Sequence, residues 1–343
     1  TIASIQQAVE QAETNSGLKI SAVVAGIAGQ HIRSLHHSDY ITRSDAEEVI
    51  NDDDVEKLCN QVYKLVMLPG EEIIHVLPQE YKVDSQSEIK EPKGMYGGRL
   101  EANFHVVVGQ VSSIKNIGRC IKSAGLNLSN ITLEPLASAE AVLSQEEKEA
   151  GVALVDIGGG TTEVAVLSLQ GSVRSESVRV AGDELTDSIK QYMKKVNNLE
   201  IGERTAEEIK VKIGSAYPSP EDDEAALEVR GVHMLSGLPR TVTVKSPEIR
   251  ESMAEPLSVI VEAVKRTLED TPPELAADII DRGIMLAGGG ALLKGLDTLI
   301  SHETGIVVHV AADPLSCVVL GTGRVLENFS QMERVFSARS RDL

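Results

Sequence analysis

The 343-residue sequence contains no tryptophan, and aromatic residues amount to only 3%. Apolar residues still make up 42%, so a packed core is available, but it must be aliphatic. The length permits two domains or one two-lobed domain. Basic charge is scarce: 33 lysines and arginines stand against 52 acidic residues, a formal net charge of −19. That excludes nucleic acid as a partner, which requires a basic footprint. It also opposes attraction of the whole surface to anionic lipid. Cysteine is limited to Cys59, Cys120 and Cys317, an odd number with no metal-type spacing, which fits buried thiols in a reducing, cytoplasmic compartment. A secretory leader and an apolar run long enough to span a bilayer are both lacking. The sequence opens at Thr1, without Met and already within a helix-like pattern; the expectation is that a segment upstream, including a first strand, is missing.

What is present begins with a helix. Ile2, Ile5, Val9 and Ala12 share one face, and Gly17 can end it. Residues 19–29, "KISAVVAGIAG", read as a strand. Residues 30–102 differ in character: a polar-faced helix across "RSDAEEVINDDDVEKLCNQVYKL", a strand "EIIHVLPQEYKVD" broken by Pro78, and a Pro/Gly turn segment "EPKGMYGGRL". They read as an inserted α+β subdomain. Residues 102–111 resume a buried strand, followed by a helix through Cys120 and Ala124. Helices are expected at 181–196, 203–214 and 255–270, with a small subdomain over 218–250.

The stretch "ALVDIGGGTTEVAVLSLQGS", residues 153–172, carries the chemistry. A strand follows the glycines, not the helix of a dinucleotide fingerprint or a P-loop, so the glycines form a hairpin tip. Gly158, Gly159 and Gly160 lack Cβ atoms, and their amides can approach an anion closely. Thr161 and Thr162 add hydroxyls. Asp156 stands where a carboxylate could hold Mg2+ through water. A tight turn that binds nothing would use the same glycines.

Three further motifs combine with it. In "MLAGGGALLKGL", Gly288, Gly289 and Gly290 separate a strand from a helix expected near Ala291, where a nucleoside or phosphate could lie on bare backbone; three glycines exceed what a turn requires. In "LEPLASAEAV", Glu134 precedes a proline suited to a helix start. Alone it is an ordinary helix start; beside a phosphate loop it could orient water. In "GERTAEEIKVKIG", Glu207 and Lys210 share a helical face and could meet a ribose or adenine edge, although most such pairs are surface ion pairs.

Together these motifs resemble the actin/Hsp70/sugar-kinase superfamily. Residues 1–150 are similar to the cell-division actin homologue FtsA ("GIAGQHIRS", "HVLPQEYKVD", "LEPLASAEAVLSQEEKEAGVALVDIGGGTTE"). Residues 151–343 resemble the rod-shape homologue MreB ("GERTAEEIKVKIGSAYP", "GLPRTV", "ADIIDRGIMLAGGGALLKGLDTLI", "DPLSCVVLGTGRVLE"). The chain therefore reads as a hybrid. The resemblance implies an α/β, two-lobed, actin-like ATPase fold whose first lobe is incomplete at the N-terminus. Its first-lobe core would comprise 1–29 and 103–150, with 324–343 returning to it. The FtsA-like insertion, a site of protein contacts in that family, would be 30–102. The second-lobe core would be 151–186 and 252–323, and its small subdomain 187–251.

The resemblance also implies ATP and Mg2+ as cofactors. Gly158 to Thr162 would bind phosphate; Glu207, Glu208, Ile209 and Lys210 with Gly288, Gly289, Gly290 and Ala291 would bind the nucleoside; Asp156 would support the metal, and Glu134 would position water. Both families open on an Asp-x-Gly-Thr hairpin that is not found after Thr1, so ATP binding is expected to be weak or absent, and slow ATPase activity to need that loop. Implied partners are filament protomers, the division or elongation machinery and the inner face of the cytoplasmic membrane. FtsA meets FtsZ through the subdomain that is MreB-like here, which argues against an FtsZ contact. At the C-terminus, Val325, Leu326, Phe329, Met332, Val335 and Phe336 fall on one helical face beside Arg334, Arg339 and Arg341, as in a membrane-lying helix or, more commonly, a terminal helix packed on the first lobe. The leading function is a cytoskeletal protein whose nucleotide sets lobe closure and assembly. A small-molecule kinase of the same superfamily is the alternative, but no base carboxylate facing a sugar pocket can be identified. An Hsp70-like chaperone is not expected, since only about twenty residues follow Gly323 in this sequence.

Overall fold

In a computed structural model, residues 2–29, 31–168 and 171–327 are described. They fall into two compact units: one of residues 2–29, 31–141, 171–173 and 319–327, the other of 142–168 and 174–318. The tail residues Phe329, Met332, Arg334, Val335, Phe336, Arg339 and Arg341 lie outside the described residues.

The first unit starts with α1 (Ile2–Ser16) and β1 (Ala22–Ile27). It continues with β2 (Ile32–Thr42), α2 (Asp52–Val62), β3 (Glu71–Val83), β4 (Gln86–Ile89) and β5 (Arg99–Gln110), then α3 (Val111–Ser123), β6 (Asn127–Leu133) and α4 (Glu134–Val142). β1 and β6 form a parallel pair, while β2-β5-β3-β4 form an antiparallel sheet. Alternation along β5 puts Leu100, Ala102, Phe104, Val106 and Val108 on one face, packed with Leu58 and Val62 of α2. The expected polar helix is shorter than its segment. It starts only where the Asn51 side chain accepts from the Asp54 amide and the Asp54 carboxylate accepts from the Asn51 amide. Before it, residues 43–50 are held irregular by Arg43, whose guanidinium donates to the carbonyls of Glu48, Val49 and Gly97 and to Asp54. Pro78 does not break its strand. β3 runs through it with a register irregularity between Pro78 and Glu80, which spares the ladder the missing N–H.

The second unit contains α5 (Gln145–Ala150), β7 (Val152–Ile157), β8 (Thr162–Ser168), β9 (Gly171–Val178) from residue 174 onward, α6 (Gly182–Asn197) and β10 (Leu199–Glu200). Next come α7 (Glu203–Ile213), α8 (Pro220–Asp223), β11 (Ala226–His233), β12 (Pro239–Lys245) and α9 (Ser246–Glu269). The chain closes with α10 (Pro273–Arg282), β13 (Ile284–Ala287), α11 (Leu296–Thr304), β14 (Val308–Val310) and α12 (Cys317–Glu327), the last crossing back into the first unit. Its main sheet has the order β14-β13-β7-β8-β9, parallel from β14 to β7 and antiparallel from β7 to β8. Every residue of β7 and β8 is buried, which is why both read as continuous apolar runs and not as an alternation. β10, β11 and β12 form a separate small sheet. Helix α9 begins well before residue 255, because Pro247 fits a first turn and Glu248 accepts from the Lys245 amide.

Candidate nucleotide site

The hairpin joining β7 to β8 pairs Ile157 with Thr162 and leaves Gly158 to Thr161 as its tip. Gly158 donates its N–H to Thr161 O at 2.9 Å, closing the turn, and Gly159 and Gly160 are exposed. The tip is fastened through its carbonyls. Gly182 N–H donates to Gly158 O (3.1 Å) and Asp183 N–H to Gly159 O (2.8 Å), so two first-turn amides of α6 are used inside the protein. Thr162 is fully buried and its hydroxyl donates to Val180 O at 2.8 Å. Of the two threonines expected to meet phosphate, only Thr161 remains at the tip.

Gly182 links the tip to α7. The Lys210 ammonium donates to Gly182 O and to Thr186 Oγ1, both at 2.9 Å, and pairs with Glu207 at 2.7 Å. The Thr186 hydroxyl donates to the Glu207 carboxylate at 2.6 Å. Burial works to raise the Glu207 carboxyl, but the bonds from Lys210 and Thr186 outweigh it and hold its pKa below the usual range. Glu207 and Lys210 are therefore an oriented pair on the rim of the turn. Their neighbours do not join them: Ile209 packs fully into the core, and Glu208 pairs outward with Lys212. Helical geometry separates i from i+1 and i+2, which the expectation of a contiguous 207–210 segment overlooked.

The second glycine step differs from expectation. No α-helix starts near Ala291. Residues Gly289–Leu292 make one 3-10 turn, Leu293 is extended, and α11 begins at Leu296. The helix-dipole argument for this step therefore fails. The glycines are required by contact: Gly288 has φ +79°, and a Cβ on it would stand 2.5 Å from Asp156 Oδ1, while one on Gly290 would overlap Ile157. This packing sets the 288–290 backbone against the end of β7, beside Asp156, which is only 7% exposed. Burial first, and then the Asp156 charge, push the neighbouring Cys317 thiol up.

Asp156, the glycine tip, Glu207, Lys210 and the 288–291 step thus converge within the second unit. Glu134 belongs to the first unit, where its side chain packs against Gly26 of β1, 2.9 Å from the position of a Cβ there. Sequence reasoning missed Thr186 and Asp183. The signal available for both was the helix start "GDELT", directly after a glycine.

Residues 102–334 match the description "MreB/Mbl protein". The chain belongs to the MreB/Mbl family. Residues 29–108 additionally match the SHS2 domain inserted in FtsA. Cell shape-determining protein MreB of Escherichia coli is 52% identical over 194 residues, 57% of this chain and 55% of that protein. The chain thus spans about half the length of the curated relatives it matches. Among solved structures, MreB5 of Spiroplasma citri bound to ADP is 33% identical with a TM-score of 0.61, covering 65% of this chain and 67% of the other. The PilM-PilN type IV pilus biogenesis complex aligns over 94% of this chain and 84% of its own at 15% identity and a TM-score of 0.58, a likeness of fold alone. The fold is that of the actin-like ATPases. An MreB-type second unit is joined to an FtsA-type inserted domain, as the two-part resemblance indicated.

Proposed function

We propose that this MreB/Mbl chain is a nucleotide-dependent cytoskeletal protein that self-associates into filaments serving cell shape, with the FtsA-type domain adding contacts to division or elongation proteins. The observation that carries this reading is the chain of contacts from the Gly158–Thr161 tip through Gly182 to Lys210 and Glu207, with Asp156 on the strand that leads into the tip. Exposed glycine amides suit the phosphates. The Lys210–Thr186–Glu207 cluster offers both a donor and an acceptor to ribose hydroxyls or a base edge. Backbone at 288–291 can approach a flat base because no Cβ intervenes.

Mg2+ fits the donors present. It binds through one or two carboxylates while keeping several waters, and Asp156 is a hard oxygen donor at the strand end. Among the described residues, no group of three or more His, Cys, Asp or Glu side chains forms a cage. Bound there, the ion would supply charge neutralisation of the phosphates. The protein's part is positional: the glycine tip holds phosphate oxygens, and Glu207 and Lys210 fix the nucleoside. The expected role of Glu134 is to orient water.

Titration of the full chain with Mg-ADP tests this reading. Without the Asp-x-Gly-Thr hairpin binding should be weak but still saturable, and it should weaken at least about tenfold further in Lys210→Met, which breaks a charge-assisted cluster worth about 1.5–3 kcal/mol per bond. Absence of saturable binding by the unmodified chain would overturn the nucleotide reading.

A further inference from the structure

Asp183 is the charged residue nearest the exposed tip, and neither turn geometry nor the nucleotide reading accounts for it. Its backbone N–H is bonded to Gly159 O at 2.8 Å, which fixes its Cα beside the turn. Its carboxylate leans over the two exposed glycines: Oδ1 is 3.4 Å from the position of a Cβ on Gly159, and Oδ2 is 3.9 Å from that on Gly160. Among the described residues no lysine or arginine forms a salt bridge with it. Lys210, which lies close by, is committed to Gly182, Thr186 and Glu207.

A phosphate oxygen that reaches the Gly159 or Gly160 amides comes within a few ångströms of this carboxylate. Two negative charges at such a distance repel strongly at the dielectric of a protein surface, and water and salt screen only part of that. A negative group in this place makes sense if the ligand arrives with its own cation. Asp156, a second carboxylate, lies on β7 two residues before the tip, its side chain against Gly288.

We propose that Asp183 makes phosphate binding at the glycine tip conditional on a divalent cation: it repels a bare polyphosphate and accepts hydrogen bonds from the hydration shell of a metal-bound one. This rests on the nucleotide reading above and adds to it a residue that selects the metal complex over the free nucleotide. A mere helix-start role would be different, since an acidic first-turn residue stabilises a helix and would change melting temperature without changing metal dependence.

The experiment is calorimetric titration of the full chain with ADP, in excess Mg2+ and in chelator, for the unmodified protein, Asp183→Asn and Asp183→Glu. The unmodified chain should bind ADP more weakly without Mg2+, on the order of tenfold or more. Asp183→Asn should lose most of that difference, chiefly by binding metal-free ADP more tightly, and Asp183→Glu should keep it. Equal Mg2+ dependence in the unmodified chain and Asp183→Asn, or an effect on melting temperature alone, would overturn the proposal while leaving the nucleotide reading intact. Failure of every variant and of the unmodified chain to bind ADP at any Mg2+ concentration would overturn both. Should Asp183→Asn fail to melt cooperatively, Asp183→Ser at the same exposed position takes its place with the same expected outcome.

Discussion

Single residues at the site are constrained by what they lack as much as by what they carry. Gly288 combines a positive φ with a missing Cβ where Asp156 and Ile157 leave no room. Gly288→Ala should therefore destabilise the fold by about 2 kcal/mol or more, read as a lower denaturation midpoint; an unchanged midpoint would mean that the step is not packed against β7. Elsewhere, His105 of β5 lies directly across from His36 of β2, with ring centroids 5.6 Å apart. Both its ring nitrogens are buried and lack a hydrogen-bond partner. Burial, with the charges of His36 and His75 added, pushes its pKa down to about 3, and burial alone takes His75 to about 4. A histidine depressed in the folded state favours folding while neutral. That stability is fully present above the ordinary value of 6.5 and is lost as pH falls from there towards 3 or 4. At about 1.4 kcal/mol per pH unit for one group, two units of that range cost on the order of 3 kcal/mol. His105→Leu should be neutral or stabilising at pH 7 and should flatten the acid limb of a stability–pH curve; an unchanged limb would show that His105 does not contribute to it.

Elements were legible where periodicity and capping agreed. The β7–β8 hairpin, α6, α7 and β5 follow directly from apolar runs bounded by glycine or by a charged helix start. Local caps set the unexpected starts of α2 and α9, while packing against other elements decided the remaining failures. The residues after Gly290 are good helix formers, yet contact with β7 holds them in a 3-10 turn. Pro78 is tolerated because the bulge removes the need for its donor. Arg43 keeps residues 43–50 irregular by binding the nearby carbonyls of Glu48 and Val49 together with that of the distant Gly97. In the small sheet, the loop joining β11 to β12 exposes Leu235 at 84% and Leu238 at 64%, together with Met234. Exposed apolar side chains clustered in this way mark contact surfaces. Leu235→Asp should reduce sedimentable self-assembly while leaving the melting temperature within about 2 °C; undiminished assembly would remove this loop from the self-association surface.

At the level of the whole molecule, the presence of an FtsA-like and an MreB-like part was readable from motifs and is matched by the SHS2 region 29–108 and the MreB/Mbl region 102–334, whose boundary falls near residues 102–108 and not at 150. The site was only half readable. Glycines and the Glu207–Lys210 spacing announce themselves, but the bonds that make them one site run through Gly182, Thr186 and Asp183, whose partners lie on other elements. Those bonds tie together α6, α7 and the β7–β8 tip, and any ligand they hold should be felt at all three and at the 288–291 step. The most direct measurement is hydrogen exchange of the full chain with and without saturating Mg-ADP. Protection should rise together at residues 158–162, 182–186, 207–210 and 288–291. Saturable binding that protects none of these segments would contradict the account.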